Sequence, residues 1–181
     1  EIGSGLVGSE MCIRDRAYVV MTFMKSKLLK IFIWIPAVIC AVMIFGFSGQ
    51  NGENSGNLSR KAAGVIVDIA DSVHLVDVRW NGRQELIDKI ELPVRKAAHM
   101  TEYAIFACLV YLAFTVDGVS WQLVRFISFF ATAAFACSDE FHQLYVPGRN
   151  GCVTDVLIDC VGILIGIIIC SIADRRKKMI I

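Results

Sequence analysis

The sequence predicts an all-α integral membrane protein of four transmembrane helices, with an amphipathic helical segment in the loop between spans one and two. Three observations carry that expectation. The 181 residues are 56% hydrophobic and only 19% charged, where a soluble domain is about half apolar and a quarter charged. The apolar residues are gathered into four blocks instead of being spread along the chain, and blocks of that length suit a hydrocarbon core of about 30 Å. Polar or basic stretches separate the blocks, as membrane surfaces require. A formal net charge of +1 gives no whole-chain basis for nucleic-acid binding, so the expected surroundings are a lipid bilayer and no nucleic acid.

Residues 1–20 show neither apolar period nor cap logic and read as a non-native leader ahead of a start at Met21 or Met24. A basic segment, 21–30, carries Lys25, Lys27 and Lys30 into the first uncharged run, 31–47. At about 1.5 Å per residue that run is roughly 26 Å long, just enough to cross. It exceeds a usual signal-peptide core, and Phe45-Gly46-Phe47-Ser48 lacks a small-x-small cleavage pattern. A polar turn cluster then leaves the membrane. From Leu58, apolar residues recur at Ala62, Val65, Ile66, Ile69 and Val73, the spacing of an amphipathic helix lying on the membrane or over the ends of the spans. The mixed stretch 76–92 reads as a loop with a second short helix.

The second span is expected at 97–116, with His99, Glu102 and Tyr103 in its first turns. Asp117-Gly118-Val119-Ser120 is a tight turn into the third span, 121–137, charged only at Arg125. The fourth span, 151–173, opens with Asp155 and Asp159 and ends at a basic tail, 174–181. The membrane domain is thus 31–173. Most of the seven cysteines lie in apolar runs without CxxC spacing and read as small hydrophobes. Gly162 and Gly166 make a GxxxG helix-contact motif, and Trp34 and Trp121 suit interfacial anchoring.

Basic clusters beside the first and last spans place both termini in the cytoplasm. One inference is independent of orientation. Span two begins, span three ends and span four begins on the same face, so His99, Glu102 and Tyr103, then Asp139, Glu140, His142 and Arg149, then Asp155 and Asp159 share one polar layer. Ionisable groups in a span cost about 2.5–3.5 kcal/mol each at its centre and less near an end. They persist when paired, metal-bound or facing a cavity. Three readings stay open. The layer is a structural ion-pair network, or His99, Glu102, His142 and an aspartate bind a divalent metal, or Arg149 and Lys96 hold an anion while a histidine does acid–base work. Pro147-Gly148-Arg149 makes a turn that would aim Arg149 into such a site.

Three blocks in order carry a resemblance: Arg95-Lys96-Ala97-Ala98-His99-Met100-Thr101-Glu102-Tyr103, then Ser138-Asp139-Glu140-Phe141-His142-Gln143-Leu144-Tyr145-Val146-Pro147-Gly148-Arg149, then Thr154-Asp155-Val156-Leu157-Ile158-Asp159-Cys160-Val161-Gly162. Together with Phe47-Ser48-Gly49-Gln50 and the following Ser55 and Ser59, they resemble the VanZ-like family over about residues 45–166. The resemblance implies a small multi-span protein of the bacterial envelope, in a family whose named member lowers susceptibility to teicoplanin, a glycopeptide that binds cell-wall precursors outside the membrane. The expected function is binding or modifying an anionic cell-wall or lipid component at the outer membrane face. His99, Glu102, Asp139, Glu140 and His142 are the candidate catalytic residues, and Lys96, Gln143, Arg149, Asp155 and Asp159 the candidate ligand-binding ones. No residue is assigned to a metal. The alternative is a non-catalytic accessory or binding protein in which the same layer only clamps helices.

Overall fold

The computed structural model describes residues 27–76, 82–149 and 151–180. The expected leader and most of the basic segment 21–30 lie outside the described residues, as do 77–81 of the expected loop. Five helices follow one another: α1 Lys27–Ser48, α2 Gly52–Ser72, α3 Arg83–Val116, α4 Trp121–Gln143 and α5 Val153–Ile180. The described residues contain no strand. Four helices, α1, α3, α4 and α5, are long and apolar enough to cross a membrane, and α2 joins the first two of them. The all-α, four-span class that composition and block length predict is the class observed.

The core of the bundle is built on α3. Tyr103, Phe106, Ala107, Val110 and Tyr111 are buried there against Val124 and Ala136 of α4, Ile163 and Ile167 of α5, and Ala37 and Ile44 of α1. The closest approach is between α3 and α5. A Cβ on Gly162 would overlap the Met100 carbonyl, and one on Gly166 the Ala104 carbonyl. The GxxxG motif therefore sets how near two backbones come. At the end where α1 starts and α5 ends, Trp34 packs edge-on against Phe114 with ring centroids 5.0 Å apart. Its indole N–H donates to Asp117 Oδ2 at 3.0 Å, and Lys30 donates to the Asp117 carbonyl at 3.1 Å. Trp34 thus fastens α1 to the turn between α3 and α4. Large apolar side chains such as Phe32, Val42, Phe126, Phe130 and Ile168 stay exposed around the bundle, as helices solvated by lipid require.

α3 departs from the expected boundaries. Its 34 residues extend about 51 Å, some 20 Å more than a hydrocarbon core. The stretch 83–92, expected as a loop with a short helix, is the first part of this same helix. Pro93 lies inside it. The proline leaves the Lys89 carbonyl without a helical donor, but Lys89 and Pro93 are both exposed, so water can serve instead. Ile87 of this extension is buried with Ala63 and Val67 of α2, and Leu86, Ile90 and Val94 pack around them. That tertiary contact holds the charged turns helical.

α2 and the outer part of α3 form a hairpin pinned by charge. Arg83 Nε and Nη2 each donate to Asp68 at 2.8 Å, and Arg60 pairs with Asp88. The face that α2 buries holds Ser59, Ala63, Gly64 and Val67, while Leu58, Val65, Ile66, Ile69 and Val73 are exposed. Small side chains let α2 lie close to α3: a Cβ on Gly64 would stand 3.3 Å from Arg83 Nη2. The larger apolar stripe is left on the hairpin's outer surface.

Candidate functional site

The helix α4 runs on past Cys137 to Gln143, which puts Asp139, Glu140 and Gln143 on its buried face. A short turn follows, closed by Gly148 at φ 76°, a conformation glycine adopts without steric cost. The turn is docked on the start of α2. Gly52 N–H donates to the Pro147 carbonyl at 3.2 Å, and a Cβ on Gly52 would overlap the Gly148 backbone. This seating sends Arg149 back across the ends of the helices.

There the helix ends enclose a cavity of about 240 Å³. Arg95, Lys96 and His99 line it from α3, Glu140 and Gln143 from α4, Arg149 from the turn, and Asp155 and Asp159 from α5. The convergence expected from span topology is therefore present for His99, Glu140, Arg149, Asp155 and Asp159, and Lys96 and Gln143 join them on the wall. Lys96 Nζ meets Asp155 Oδ1 at 2.9 Å, tying α3 to α5. Glu140 Oε1 accepts the Cys152 N–H at 2.5 Å, a carboxylate at the N-terminus of α5 where amide donors lack helical partners. Asp159 is buried deeper on the same helix.

Of the cations on the cavity wall, Arg149 has the least compensation, since Arg95 and Lys96 each pair with an acid. Its Nη1 donates to Gln143 Oε1 at 3.2 Å and its Nη2 to the Phe47 carbonyl at 3.3 Å, both neutral acceptors. Arg149 Nε and Arg95 Nε are buried with no hydrogen-bond partner among the described residues. Burial, and then the charge of Arg95, pull the Arg149 guanidinium below its ordinary value, opposed by Asp139, Glu140 and Glu102. An arginine remains charged throughout the physiological range, so the consequence is a partly desolvated cation facing a cavity.

Three candidates stand outside the cavity wall. Asp139 is almost fully buried and accepts from Gln143 Nε2 at 3.3 Å. Its Oδ1 and the buried Tyr103 hydroxyl face each other, and among the described residues neither has another hydrogen-bond partner. Gln143 thus links the cavity cation to a buried carboxylate, its oxygen taken by Arg149 and its nitrogen by Asp139. Glu102 sits one turn below His99, with Oε2 3.6 Å from His99 Nδ1. His142 faces α1: its ring stacks on Phe45 at 4.6 Å between centroids, and a Cβ on Gly49 would be 3.6 Å from its Nε2. His99 and His142 therefore do not face the same space. Among the described residues no three histidines, cysteines or acids form a group able to hold a metal.

The sequence profile of the VanZ/LLP1 family matches residues 32–174. The chain belongs to the VanZ/LLP1 family. No curated protein and no solved structure matches it at a significant level. The matched region starts in α1 and ends in α5, so it takes in α2 and the whole cavity wall of this VanZ/LLP1 protein. The VanZ/LLP1 site also has residues that sequence reasoning left without a role. Arg95 donates from Nη2 to Ser59 Oγ and to Glu91 Oε1, each at 3.2 Å, and Ser59 Oγ lies 3.2 Å from Glu91 Oε1. Sequence gave a hint of both, Arg95 next to Lys96 and Ser59 in the segment after span one. The link between them crosses two helices, and no spacing within one helix reveals it.

Proposed function

We propose that this VanZ/LLP1 protein binds a phosphate-bearing envelope component, a lipid headgroup or a lipid-linked cell-wall precursor, in the cavity between the ends of α3, α4 and α5. The observation that carries the reading is Arg149, a partly buried guanidinium at the cavity wall with neutral acceptors on Nη1 and Nη2 and an unpartnered Nε. An anion between Arg149 and Arg95 would relieve their mutual repulsion and meet the arginine's fork bidentately. Lys96, shared with Asp155, and Gln143 are the supporting ligands. His99, beside Glu102 and on the cavity wall, is the acid–base candidate if the bound molecule is modified. Asp139 and Glu140 position Gln143 and the start of α5. With both termini in the cytoplasm, the cavity opens at the outer face, where envelope precursors are exposed.

A second reading has its own support. Lys96–Asp155 and Glu140–Cys152 each tie two chain segments together, as expected of a non-catalytic accessory or binding protein whose polar layer clamps helices. Teicoplanin susceptibility separates the two. Expressed in a susceptible bacterium, the wild-type chain is expected to raise the inhibitory concentration of teicoplanin. Arg149→Ala is expected to abolish that rise with membrane abundance and thermal midpoint unchanged. An Arg149→Ala protein as protective as wild type, or one lost from the membrane, would favour the clamp.

A further inference from the structure

At the opposite end of the bundle, on the face where α1 starts and α5 ends, two cavities meet at Arg125. One is polar and about 250 Å³, lined by Tyr111, Trp121, Arg125, Ser171, Asp174 and Arg175. The other is an apolar groove of about 540 Å³ between α4 and α5, with Phe126, Phe129, Phe130, Leu164 and Ile167 along it. They are stacked along the bundle axis. Phe129, Arg125 and Trp121 lie on successive turns of α4, and Ile167, Ser171 and Asp174 on successive turns of α5 in the reverse order. The groove therefore runs into the membrane from the polar cavity. Its size falls in the range of small-molecule sites, about 300–1,000 Å³.

Charge favours one class of occupant. The Arg125 guanidinium carbon lies over the Trp121 ring, 4.1 Å from its centroid, with Nε donating to the Trp121 carbonyl at 3.3 Å. Cation–π stacking and this bond hold Arg125 in place. Asp174, the acid of the cavity, accepts the Tyr111 hydroxyl at 2.9 Å. Among the described residues no carboxylate pairs with Arg125 or Arg175. Two arginines thus stand at the membrane surface directly above an apolar groove, the arrangement by which basic pockets between spans take anionic headgroups.

We infer that Arg125, Arg175 and the α4–α5 groove form a site for one anionic phospholipid, its phosphate on the arginines and an acyl chain along Phe126, Phe129 and Ile167. The site is on the opposite membrane face from the Arg149 cavity and does not depend on that cavity's function.

The test is native mass spectrometry of the full chain released from nanodiscs of equal parts phosphatidylglycerol and phosphatidylcholine with identical acyl chains. An arginine near a membrane surface favours anionic lipid by about five-fold. With two arginines, wild type should retain one phosphatidylglycerol in preference to phosphatidylcholine by about 25-fold. Arg125→Gln and, separately, Arg175→Gln should each lower the preference by about five-fold, whereas Lys61→Gln on α2 should leave it as in wild type. Equal retention of the two lipids by wild type overturns the proposal, and needs no variant to fold. A preference that survives both arginine substitutions overturns it as well.

Discussion

Arg149 donates to the side-chain oxygen of Gln143 at 3.2 Å, and Gln143 in turn donates to Asp139 at 3.3 Å. A neutral amide therefore stands between the cavity's least compensated cation and a buried carboxylate. Gln143→Glu is the informative exchange, since it gives Arg149 an internal carboxylate. The exchange also removes the amide donor to buried Asp139, so the thermal midpoint is expected to fall, and the folded variant is expected to lose binding of a soluble phosphomonoester by about ten-fold or more, because a charge-assisted bond contributes about 1.5–3 kcal/mol. Calorimetric titration in detergent checks it.

Glu140 supports α5 through the amide N–H of Cys152. Glu140→Ala leaves that donor unpaired and is expected to cost about 1–3 kcal/mol, read from unfolding in denaturing detergent. Glu140→Gln still presents an oxygen and should cost less. Equal losses in the two variants would mean that the negative charge, not the acceptor, matters at this helix start.

The contact between α3 and α5 allows no side chain at two positions. Gly162→Ala and Gly166→Ala both push a methyl into a backbone carbonyl, and overpacking of this kind costs about 1–3 kcal/mol. Gly46→Ala meets nothing within 4 Å and should be neutral or stabilise by about 0.5–1 kcal/mol, since alanine suits a helix better. Unfolding midpoints of the three variants compared with wild type provide the check.

Acid should loosen the hairpin of α2 and α3. The hydrogen bonds and charge of Arg83 hold the Asp68 carboxyl below its ordinary value. A depressed folded pKa contributes stability above the unfolded value, near 3.9, and that contribution is lost as pH falls through the folded value. Hydrogen exchange in residues 60–72 is expected to be flat with pH, after correction for intrinsic rates, down to about 4. Below that it should accelerate in wild type, and Asp68→Asn should show the fast behaviour at every pH.

The sequence made the spans legible because their signal is local: an uncharged run either is or is not long enough to cross. It also made the convergence of His99, Glu140, Arg149, Asp155 and Asp159 legible, since span topology alone puts their helix ends on one face. What it concealed depends on contacts between helices. Pro93 and the charges around it read as a loop until α2 is seen packing on Ile87. The buried face of α2 is made of Ser59, Ala63, Gly64 and Val67, small residues that a search for large apolar ones passes over. His142 belongs by spacing with Asp139, yet its ring lies on Phe45, which follows only once α1 is known to run beside α4.

The central claim is that the Arg149 cavity binds a phosphate-bearing molecule. Titration of the purified protein with sn-glycerol 1-phosphate, wild type against Arg149→Ala, tests it most directly. Saturable binding that falls by about 10- to 100-fold in the variant, with the thermal midpoint held, is the predicted result. No binding by wild type, or equal binding by a folded Arg149→Ala protein, would contradict it.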